Sequence, residues 1–420
     1  LGSMAGHIAV GHCRYSTTGS TSWENSQPIF RHTAAGNGVA LGHNGNLVNT
    51  ADLADRARQL GIYGSSEAAT SDSDVVGALL AYEAADKTLE QAALELLPSL
   101  RGAFCLTFQD ENTLYAARDP HGVRPLSLGR LDRGWVVASE DAALATVGAS
   151  VVREIEPGEM VIIDENGLRS RKFATPERKG CVFEYVYLAR PDATIAGRNV
   201  HESRVEMGRV LAREFPVNAD LVIPVPESGT PSATGYAEES GIPFGQGFVK
   251  NSYVGRTFIQ PSQTLRQLGI RLKLNALEHM IRGRRIVVVD DSIVRGNTQR
   301  AQIRMLREAG ATEVHVRISS PPVKWPCFYG IDFATRAELI ANGLDVDEIA
   351  ASVGADSLGY ISLEGMVDAT RQSMDQLCTA CFTGQYPVAL PDESQLGKHL
   401  LEVSLQSPTM GKALPVLNNP

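Results

Sequence analysis

The chain of 420 residues carries a formal net charge of −9, with 39 basic and 48 acidic side chains. This charge argues against binding to duplex nucleic acid, which depends on Lys and Arg that neutralise phosphates. No stretch approaches the roughly 18 apolar residues of a membrane helix and no signal peptide is recognisable, so we expect a cytoplasmic protein without a membrane partner. Six cysteines are too few for a secreted disulfide framework, so any clustered cysteines are metal or redox candidates.

Residues 1–172 are predicted to form a domain of the α+β kind. Short apolar strands separated by Gly, Asn and Asp are expected at residues 8–11, 38–43, 103–108, 114–118, 135–139 and 160–164. One helix is expected at residues 73–82, after the cap at residues 70–72. Another is expected at residues 89–97, where Ala and Leu recur at helical spacing.

Residues 173–375 are predicted to form a second domain, of the α/β kind. From about residue 218 the pattern repeats as strand, turn and helix, with strands at 220–225, 285–289 and 313–318 and helices at 230–239 and 297–309. The apolar runs lack alternation, which indicates a parallel sheet covered on both faces. Residues 376–420 are interpreted as a tail with one possible helix at residues 394–405.

The segment from Ile286 to Thr298 places two carboxylates at the end of a predicted buried strand. Asp290 and Asp291 are followed by a loop of Ser, Arg and Gly that opens a predicted helix. Adjacent acids can accept hydrogen bonds from both hydroxyls of a ribose, and loop amides at a helix N-terminus can hold its 5-phosphate. The alternative is an Asp-Asp turn before an ordinary capped helix. The complete succession favours a ribose 5-phosphate site.

This segment resembles the phosphoribosyl pyrophosphate motif of type I phosphoribosyltransferases. The resemblance implies that Asp290 and Asp291 bind the ribose hydroxyls. The residues implied around the 5-phosphate are Ser292, Arg295, Gly296, Asn297 and Thr298. The family's pyrophosphate loop corresponds to Glu227, Ser228 and Gly229. Mg²⁺ on the pyrophosphate would be held by Ser228, Asp290 and Asp291.

A basic segment that contains glycine, residues 250–258, lies between these two motifs. Taken alone, it is interpreted as a solvated charged loop. In the similar enzymes it is a flexible lid that closes over phosphoribosyl pyrophosphate, and a loop that is ordered by phosphates would have this composition. The resemblance therefore adds Lys250, Tyr253 and Arg256 to the implied substrate-binding residues.

Three segments of the first domain carry Arg14, the pair Asn44-Gly45, and Asp72. Taken singly, Asn44-Gly45 favours a type I′ hairpin turn. Together, the three segments resemble class II glutamine amidotransferases, which fold as N-terminal nucleophile hydrolases with an αββα sandwich. The resemblance implies that Arg14 binds the α-carboxylate of glutamine and Asp72 its α-amino group. Asn44 and Gly45 would form the oxyanion hole, through a side-chain amide and a backbone N–H.

The nucleophile of that family is an N-terminal cysteine whose α-amine serves as the base. The sequence begins at Leu1, so we expect the nucleophile to precede it and the sandwich to be incomplete. Cys13 is interpreted as a packed thiol, because its nitrogen is held in a peptide bond and neighbours on a strand point to opposite faces. The chain as printed is therefore expected to use ammonia but not glutamine.

The cysteines Cys378 and Cys381 form a CxxC pair, and Cys181 and Cys327 stand far upstream. Four thiolates suit tetrahedral Zn²⁺ or an iron-sulfur cluster, and spacing does not choose between them. A redox CxxC is a further alternative, but it leaves Cys181 and Cys327 unexplained. The sequence contexts of all four resemble the iron-sulfur subclass of glutamine phosphoribosylpyrophosphate amidotransferases, which implies a [4Fe-4S] cluster.

Resemblance to these amidotransferases extends over nearly the whole chain and includes motifs of both domains in the family's order. It implies a pentosyltransferase that hydrolyses glutamine, passes ammonia to the second site and displaces pyrophosphate to give 5-phospho-β-ribosylamine, at the entry to purine synthesis. A homodimer or homotetramer inhibited by purine nucleotides is also implied. The alternatives are a phosphoribosyltransferase that acts on a base, for which Arg14, Asn44 and Asp72 would be superfluous, and a regulator without catalytic activity.

Overall fold

The computed structural model describes residues 6–14, 23–63, 70–251, 274–332 and 335–392. Tyr253, Arg256 and the helix expected at residues 394–405 lie outside these ranges. Within the described ranges, no helix has the length and apolar character needed to cross a bilayer.

The described residues of the first half form nine strands in two antiparallel sheets. In chain order they are β1 (Ile29–His32), β2 (Gly38–Leu47), β3 (Gly102–Gln109), β4 (Leu114–Arg118), β5 (Ser127–Leu131), β6 (Gly134–Ala138), β7 (Ser150–Glu154), β8 (Glu159–Asp164) and β9 (Gly167–Lys172). A six-stranded sheet has the order β1-β2-β3-β4-β8-β9, and a three-stranded sheet has the order β6-β5-β7.

Helices cover both sheets on their outer faces. They are α1 (Thr50–Gln59), α2 (Asp72–Glu83), α3 (Leu89–Leu96) and α4 (Asp141–Thr146). The first three pack on the six-stranded sheet around a core that includes Leu53, Leu79 and Phe104. Leu128 of β5 belongs to the core between the two sheets, while the Leu144 side chain of α4 lies against the next residue, Gly129. Because successive residues face opposite sides of a strand, the layers follow the order α, β, β, α.

The second half is built around a parallel sheet of four strands. Its remaining elements are, in chain order, β10 (Gly180–Cys181), β11 (Thr194–Ile195), β12 (Arg198–Asn199), α5 (Val200–Glu214), β13 (Leu221–Pro224), α6 (Thr230–Ser240), β14 (Phe248–Lys250), β15 (Leu274–Ala276), α7 (Glu278–Ile281), β16 (Arg285–Asp290), α8 (Asn297–Glu308), β17 (Glu313–Ile318), α9 (Ile340–Gly343), α10 (Val346–Val353), β18 (Ser357–Tyr360), α11 (Leu363–Thr370), β19 (Leu377–Cys378) and α12 (Ala380–Thr383). The sheet has the order β13-β16-β17-β18, and every pair in it is parallel.

Short 3₁₀ turns and one π-helical segment complete the described structure. The 3₁₀ turns are Trp23–Asn25, Leu97–Ser99, Arg336–Glu338 and Met374–Gln376, and the π segment is Glu184–Leu188. In the parallel sheet, Val287 and Val289 belong to the core on one face, and Ile286 and Val288 to the core on the other. A strand buried on both faces explains the unbroken apolar run of β16.

Most of the predicted strands and helices are confirmed, with their ends displaced by one or two residues. The predicted strand at residues 8–11 is wrong, because this stretch forms no ladder. The Val10 side chain is partly buried, and its methyl lies close to Gly42 of β2. The predicted strand at residues 38–43 continues to Leu47, so the hairpin turn considered for Asn44-Gly45 is also wrong. Several helices were not predicted, among them α1, α4, α5, α10 and α11.

Candidate active sites

Asn44 and Gly45 lie in the interior of β2, opposite Cys105 and Phe104 of β3. Gly45 has φ = 146°, and a Cβ atom there would lie 2.1 Å from the Ala103 carbonyl oxygen. Glycine is therefore required by the close approach of two strands rather than by a turn. The half-buried Asn44 side chain donates a long hydrogen bond, 3.4 Å, to Ser139 Oγ.

The backbone N–H groups near the end of β2 point toward side-chain acceptors. His43 N donates to Gln27 Oε1 at 2.7 Å, and Leu47 N donates to Asp72 Oδ2 at 3.1 Å. Since N–H directions alternate along a strand, the Gly45 N–H points to the same edge as these two groups. This edge is a suitable place for an oxyanion acceptor.

Asp72 is the buried first residue of α2, and its carboxylate is held by two backbone groups. Oδ1 accepts from Ser73 N at 2.8 Å, in addition to the bond from Leu47 to Oδ2. The His43 Nδ1 atom lies 3.6 Å from Asp72 Oδ2 and 3.3 Å from Ser73 Oγ. Asp72 thus connects the helix start with the strand that carries Asn44 and Gly45.

Electrostatics keep Asp72 ionised. Burial raises the pKa of its carboxyl, but His43 and the N–H groups of Leu47 and Ser73 outweigh burial, so the pKa is lowered. Burial likewise lowers the pKa of His43, yet Asp72 and the Ala103 carbonyl raise it above its ordinary value. Burial lowers the pKa of Arg14, and the negative charge of Asp72 acts in the opposite direction. The charges of Arg14 and Asp72 therefore act on each other.

Asp290 and Asp291 lie side by side at the carboxyl end of β16, and both are buried. Asp290 Oδ1 accepts from Asp291 N at 2.9 Å, and its Oδ2 accepts from the amide of Gln299 on α8. Ser292 Oγ donates to Asp291 Oδ1. Burial and the charge of Asp291 raise the pKa of Asp290 well above its ordinary value.

The loop of residues 292–296 leads directly into α8, which begins at Asn297. Gly296 adopts a left-handed conformation, with φ = 76°, and a Cβ atom there would lie 2.7 Å from Ile340. A residue without a side chain is therefore required where the loop enters the helix. Arg295, on the loop, forms an ion pair with Glu338 at 3.2 Å.

The segment of residues 227–229 lies beside the Asp290 motif. The preceding strands are neighbours, since Val225 N donates to Val289 O at 2.9 Å. A Cβ atom on Gly229 would lie only 2.3 Å from that Val289 oxygen, which accounts for the glycine. The Pro226–Glu227 peptide bond is cis. Lys250 Nζ lies 3.4 Å from Glu227 Oε2, so Lys250 also faces this site.

All four cysteines of the predicted set line one cavity. Cys181 and Cys378 are paired in register in the parallel ladder of β10 and β19. Lys324 N and Trp325 N both donate to the Cys381 carbonyl, at 3.0 Å and 3.1 Å, which brings the Cys327 segment to the CxxC. Burial raises the pKa of each thiol. Cys105 is buried elsewhere. Cys13 is exposed, so its interpretation as a packed thiol is wrong.

Arg124 places a buried positive charge beside this cavity. Its Nη1 donates to the equally buried Glu184 at 2.7 Å. Its Nε is buried and has no hydrogen-bond partner among the residues that the structure describes. Within the same residues, no three His, Cys, Asp or Glu side chains are arranged to hold a single metal ion. The candidate metal ligands at this cavity are therefore the four thiols, and the guanidinium of Arg124 lies next to them.

Sequence reasoning assigned no role to several residues of these sites. His43 and Gln27 support the Asn44 strand, Gln299 binds Asp290, and Arg124 borders the cysteines. The position of Gln299 in the first turn of the helix that follows the Asp pair was a usable signal. The other contacts join distant segments, which no local pattern reveals.

Two family models match the chain in the order of its two halves. Residues 12–146 match a glutamine amidotransferase domain, and residues 209–319 match a phosphoribosyl transferase domain. Relatives named amidophosphoribosyltransferase include one from Mycobacterium bovis, 69% identical over 99% of this chain and 80% of the relative. One from Synechococcus elongatus is 47% identical over 96% of this chain and 82% of the relative.

Two solved structures share this architecture. One is glutamine phosphoribosylpyrophosphate amidotransferase from B. subtilis in complex with ADP and GMP, with a TM-score of 0.83 and 45% identity over 91% of this chain and 83% of that one. The other, described as the allosteric regulatory enzyme of purine biosynthesis, has a TM-score of 0.85 and 46% identity over 93% and 84%. The chain belongs to the amidophosphoribosyltransferase family.

Proposed function

We propose that two groups of residues in this chain divide the amidophosphoribosyltransferase reaction between them. The overall reaction converts glutamine, phosphoribosyl pyrophosphate and water into 5-phospho-β-ribosylamine, glutamate and pyrophosphate. The observation that carries the division is the separate clustering of Asn44, Gly45 and Asp72 at the end of β2, and of Asp290 and Asp291 at the carboxyl end of β16.

At the glutamine site, charge holds the substrate and neutral donors stabilise the transition state. Ionised Asp72 binds the α-amino group, and Arg14, its electrostatic neighbour, binds the α-carboxylate. The Asn44 amide and the Gly45 N–H receive the oxyanion that forms when the side-chain amide is attacked. The long bond from Asn44 to Ser139 is easily exchanged for one to substrate. We assign none of the six cysteines to the nucleophile.

At the transferase site, the residues mainly position the sugar and its phosphates. Asp290 and Asp291 accept hydrogen bonds from the ribose hydroxyls. Residues 292–298 surround the 5-phosphate at the start of α8, and residues 227–229, with Lys250, face the pyrophosphate. The bond from C1 to the pyrophosphate oxygen breaks with its electron pair on the leaving group, ammonia bonds to C1, and the amine then loses a proton.

Mg²⁺ and a [4Fe-4S] cluster are the proposed inorganic partners. Ser228, Asp290 and Asp291 would hold Mg²⁺, which neutralises the leaving pyrophosphate. Cys181, Cys327, Cys378 and Cys381 would hold the cluster. A zinc site requires four sulfurs about 2.3 Å from one point, whereas a cluster spans a wider cavity. With four thiolates either group carries net negative charge, which the unpartnered Nε of Arg124 would help to compensate, and the sequence contexts of the four cysteines favour the cluster.

Regulation and assembly are proposed from the relatives. The B. subtilis enzyme was solved with ADP and GMP, so purine nucleotides are proposed as inhibitors of this chain. A homodimer or homotetramer is proposed as its assembly from the resemblance of its motifs to the family. Inhibition of phosphoribosylamine formation by a series of purine nucleotides, and the mass in solution, would test both proposals.

A comparison of two substitutions tests the division into two sites. In the protein at its full natural length, Asn44→Ala should abolish phosphoribosylamine formation from glutamine and preserve its formation from free ammonia. Asp290→Asn should reduce both, because both routes need bound phosphoribosyl pyrophosphate. If Asn44→Ala leaves the glutamine reaction intact, or Asp290→Asn spares either reaction, the assignment is wrong.

A further inference from the structure

A loop of the transferase half supports the strand that carries Asn44 and Gly45. The Asn46 side-chain amide donates to the Phe328 carbonyl oxygen at 3.1 Å, although the two residues are 282 positions apart. A Cβ atom on Gly330 would lie 3.0 Å from the Gly45 carbonyl carbon and 3.1 Å from its Cα. Gly330 therefore packs against Gly45, backbone to backbone.

Among the residues that the structure describes, this part of β2 has little support from its own sheet on one side. The neighbouring strand β1 pairs with β2 only from Gly38 to Leu41. Beyond that point, β3 holds one edge of β2, and the other edge is held by side chains such as Gln27 and Asp72. Contacts from outside the sheet thus have a large share in fixing the Asn44 to Asn46 backbone.

The loop itself is firmly anchored. Tyr329, between Phe328 and Gly330, is buried, and its hydroxyl donates to Val388 O at 3.0 Å and accepts from Val388 N at 3.1 Å. Tyr329 N also donates to Cys327 Sγ at 3.4 Å. One apolar cluster joins Tyr329 and Val388 with Val48 and Ala103 of the first half. A loop packed in this way is a rigid support.

The space around Gly330 is closed on two sides. The same Cβ atom that would contact Gly45 would lie 3.1 Å from Arg124 Nη2, and Arg124 is itself fixed by Glu184. Gly330 also has φ = 102°, which a residue with a side chain rarely adopts. The close fit depends on the missing side chain.

We propose that Phe328 and Gly330 are positioning residues for the glutaminase oxyanion hole. Their backbones fix β2 so that the Asn44 amide and the Gly45 N–H meet the developing charge. This inference rests on the proposed function, in which Asn44 and Gly45 form that hole. Oxyanion donors must lie within a few tenths of an ångström of their optimal distance, so a small shift of β2 lowers turnover more than glutamine binding.

Two substitutions in the protein at its full natural length test this support. Asn46→Asp replaces the donor to Phe328 O by an acceptor, and Gly330→Ala forces Gly330 and Gly45 apart. Each should lower kcat for glutamate release roughly 10- to 100-fold, with an unchanged KM for glutamine and an unchanged rate from free ammonia. Gly384→Ala is the matched control, since Gly384 also has positive φ and lies near the cysteines but faces Trp325 instead of Gly45.

The outcomes separate this inference from the function on which it rests. If Asn44→Ala keeps normal glutamate release, the oxyanion assignment itself fails. If Asn44→Ala is inactive while Asn46→Asp and Gly330→Ala keep the normal kcat, the oxyanion hole stands and the positioning role is overturned. An equal loss of the ammonia reaction, or an equal effect of Gly384→Ala, would also overturn it. If Gly330→Ala does not fold, the kcat of Asn46→Asp for glutamate release tests the positioning role by itself.

Discussion

Leu47 and Asp72 are joined by a hydrogen bond of 3.1 Å, from the backbone N–H of the last residue of β2 to the carboxylate of the first residue of α2. This bond holds a buried, ionised carboxylate at Leu47, two residues beyond Gly45. The Asp72 side chain therefore has two roles: it holds the end of β2, and it is proposed to bind the α-amino group of glutamine. The substitution Asp72→Asn separates these two roles.

Asp72→Asn should weaken glutamine binding while the ammonia reaction persists. An amide keeps an acceptor for Leu47 N but loses the charge that attracts the α-amino group. A charge-assisted hydrogen bond contributes roughly 1.5–3 kcal/mol, so KM for glutamine should rise roughly 10- to 150-fold. Glutamate release measures the effect, and Asp52→Asn, at an exposed position of α1, is the control. A normal KM would show that Asp72 does not bind the α-amino group.

His43→Gln should destabilise the protein more at mildly acidic than at alkaline pH. The pKa of His43 is raised above its ordinary value of 6.5, chiefly by Asp72 acting against burial. The folded state therefore holds this proton more tightly. The stability that this proton contributes is fully present below the ordinary pKa of histidine. It is lost as the pH rises through the pKa of His43 in the folded protein. The titration of Asp72 contributes little to this pH dependence, because its own pKa is lowered from 3.8.

The thermal unfolding midpoint at about pH 5.5 and at about pH 8.5 checks this prediction, since these values lie on either side of an ordinary histidine pKa. The gap between wild type and His43→Gln should be wider at the lower pH. His201→Gln, at an exposed position of α5, provides the comparison. An equal gap at both values would mean that His43 and Asp72 do not form a charged pair.

Asp290→Asn should raise the unfolding midpoint of the unliganded protein and remove its response to phosphoribosyl pyrophosphate. Two adjacent buried carboxyl groups are costly without a ligand, and an amide at Asp290 removes that cost. The change is accommodated because Gln299 Oε1 is buried and has no partner among the described residues, so its side-chain amide can rotate to accept from Asn.

Midpoints with and without phosphoribosyl pyrophosphate and Mg²⁺ measure both effects. Asp368→Asn, at an exposed position of α11, should leave the midpoint and the ligand response unchanged. A lower midpoint for Asp290→Asn would indicate that the Asp pair is structural, and a retained ligand response would indicate that Asp290 does not contact the ribose.

Protein purified without oxygen should be brown and contain iron and acid-labile sulfide. Cys327→Ser or Cys381→Ser should lose the colour and the iron, because each removes one of the four thiolates around the cavity. Cys13→Ser, at an exposed cysteine outside the cavity, should keep both. Stoichiometric zinc without visible absorbance would contradict the cluster assignment.

Features that depend only on neighbouring residues could be predicted from the sequence. The apolar run before Asp290 and Asp291, and the helix that follows at Asn297, are encoded within a dozen neighbouring residues. The Ser71 cap of α2 is equally local, since its side chain accepts from Asp74 N three residues on. Propensity, burial pattern and capping act over one or two turns of chain, so a single sequence displays them.

Relationships between distant segments depend instead on how the whole chain packs. The pair Asn44-Gly45 has the local preferences of a turn, but pairing with β3 makes it the interior of a strand. The contact between Asn46 and Phe328 joins the two halves of the chain in the same way. The ladder with β3 outweighs the turn preference of Asn44-Gly45, because a strand forms many hydrogen bonds and buried contacts together, whereas a local turn would form few. The contact between Asn46 and Phe328 likewise depends on packing between distant residues, which a local pattern does not show.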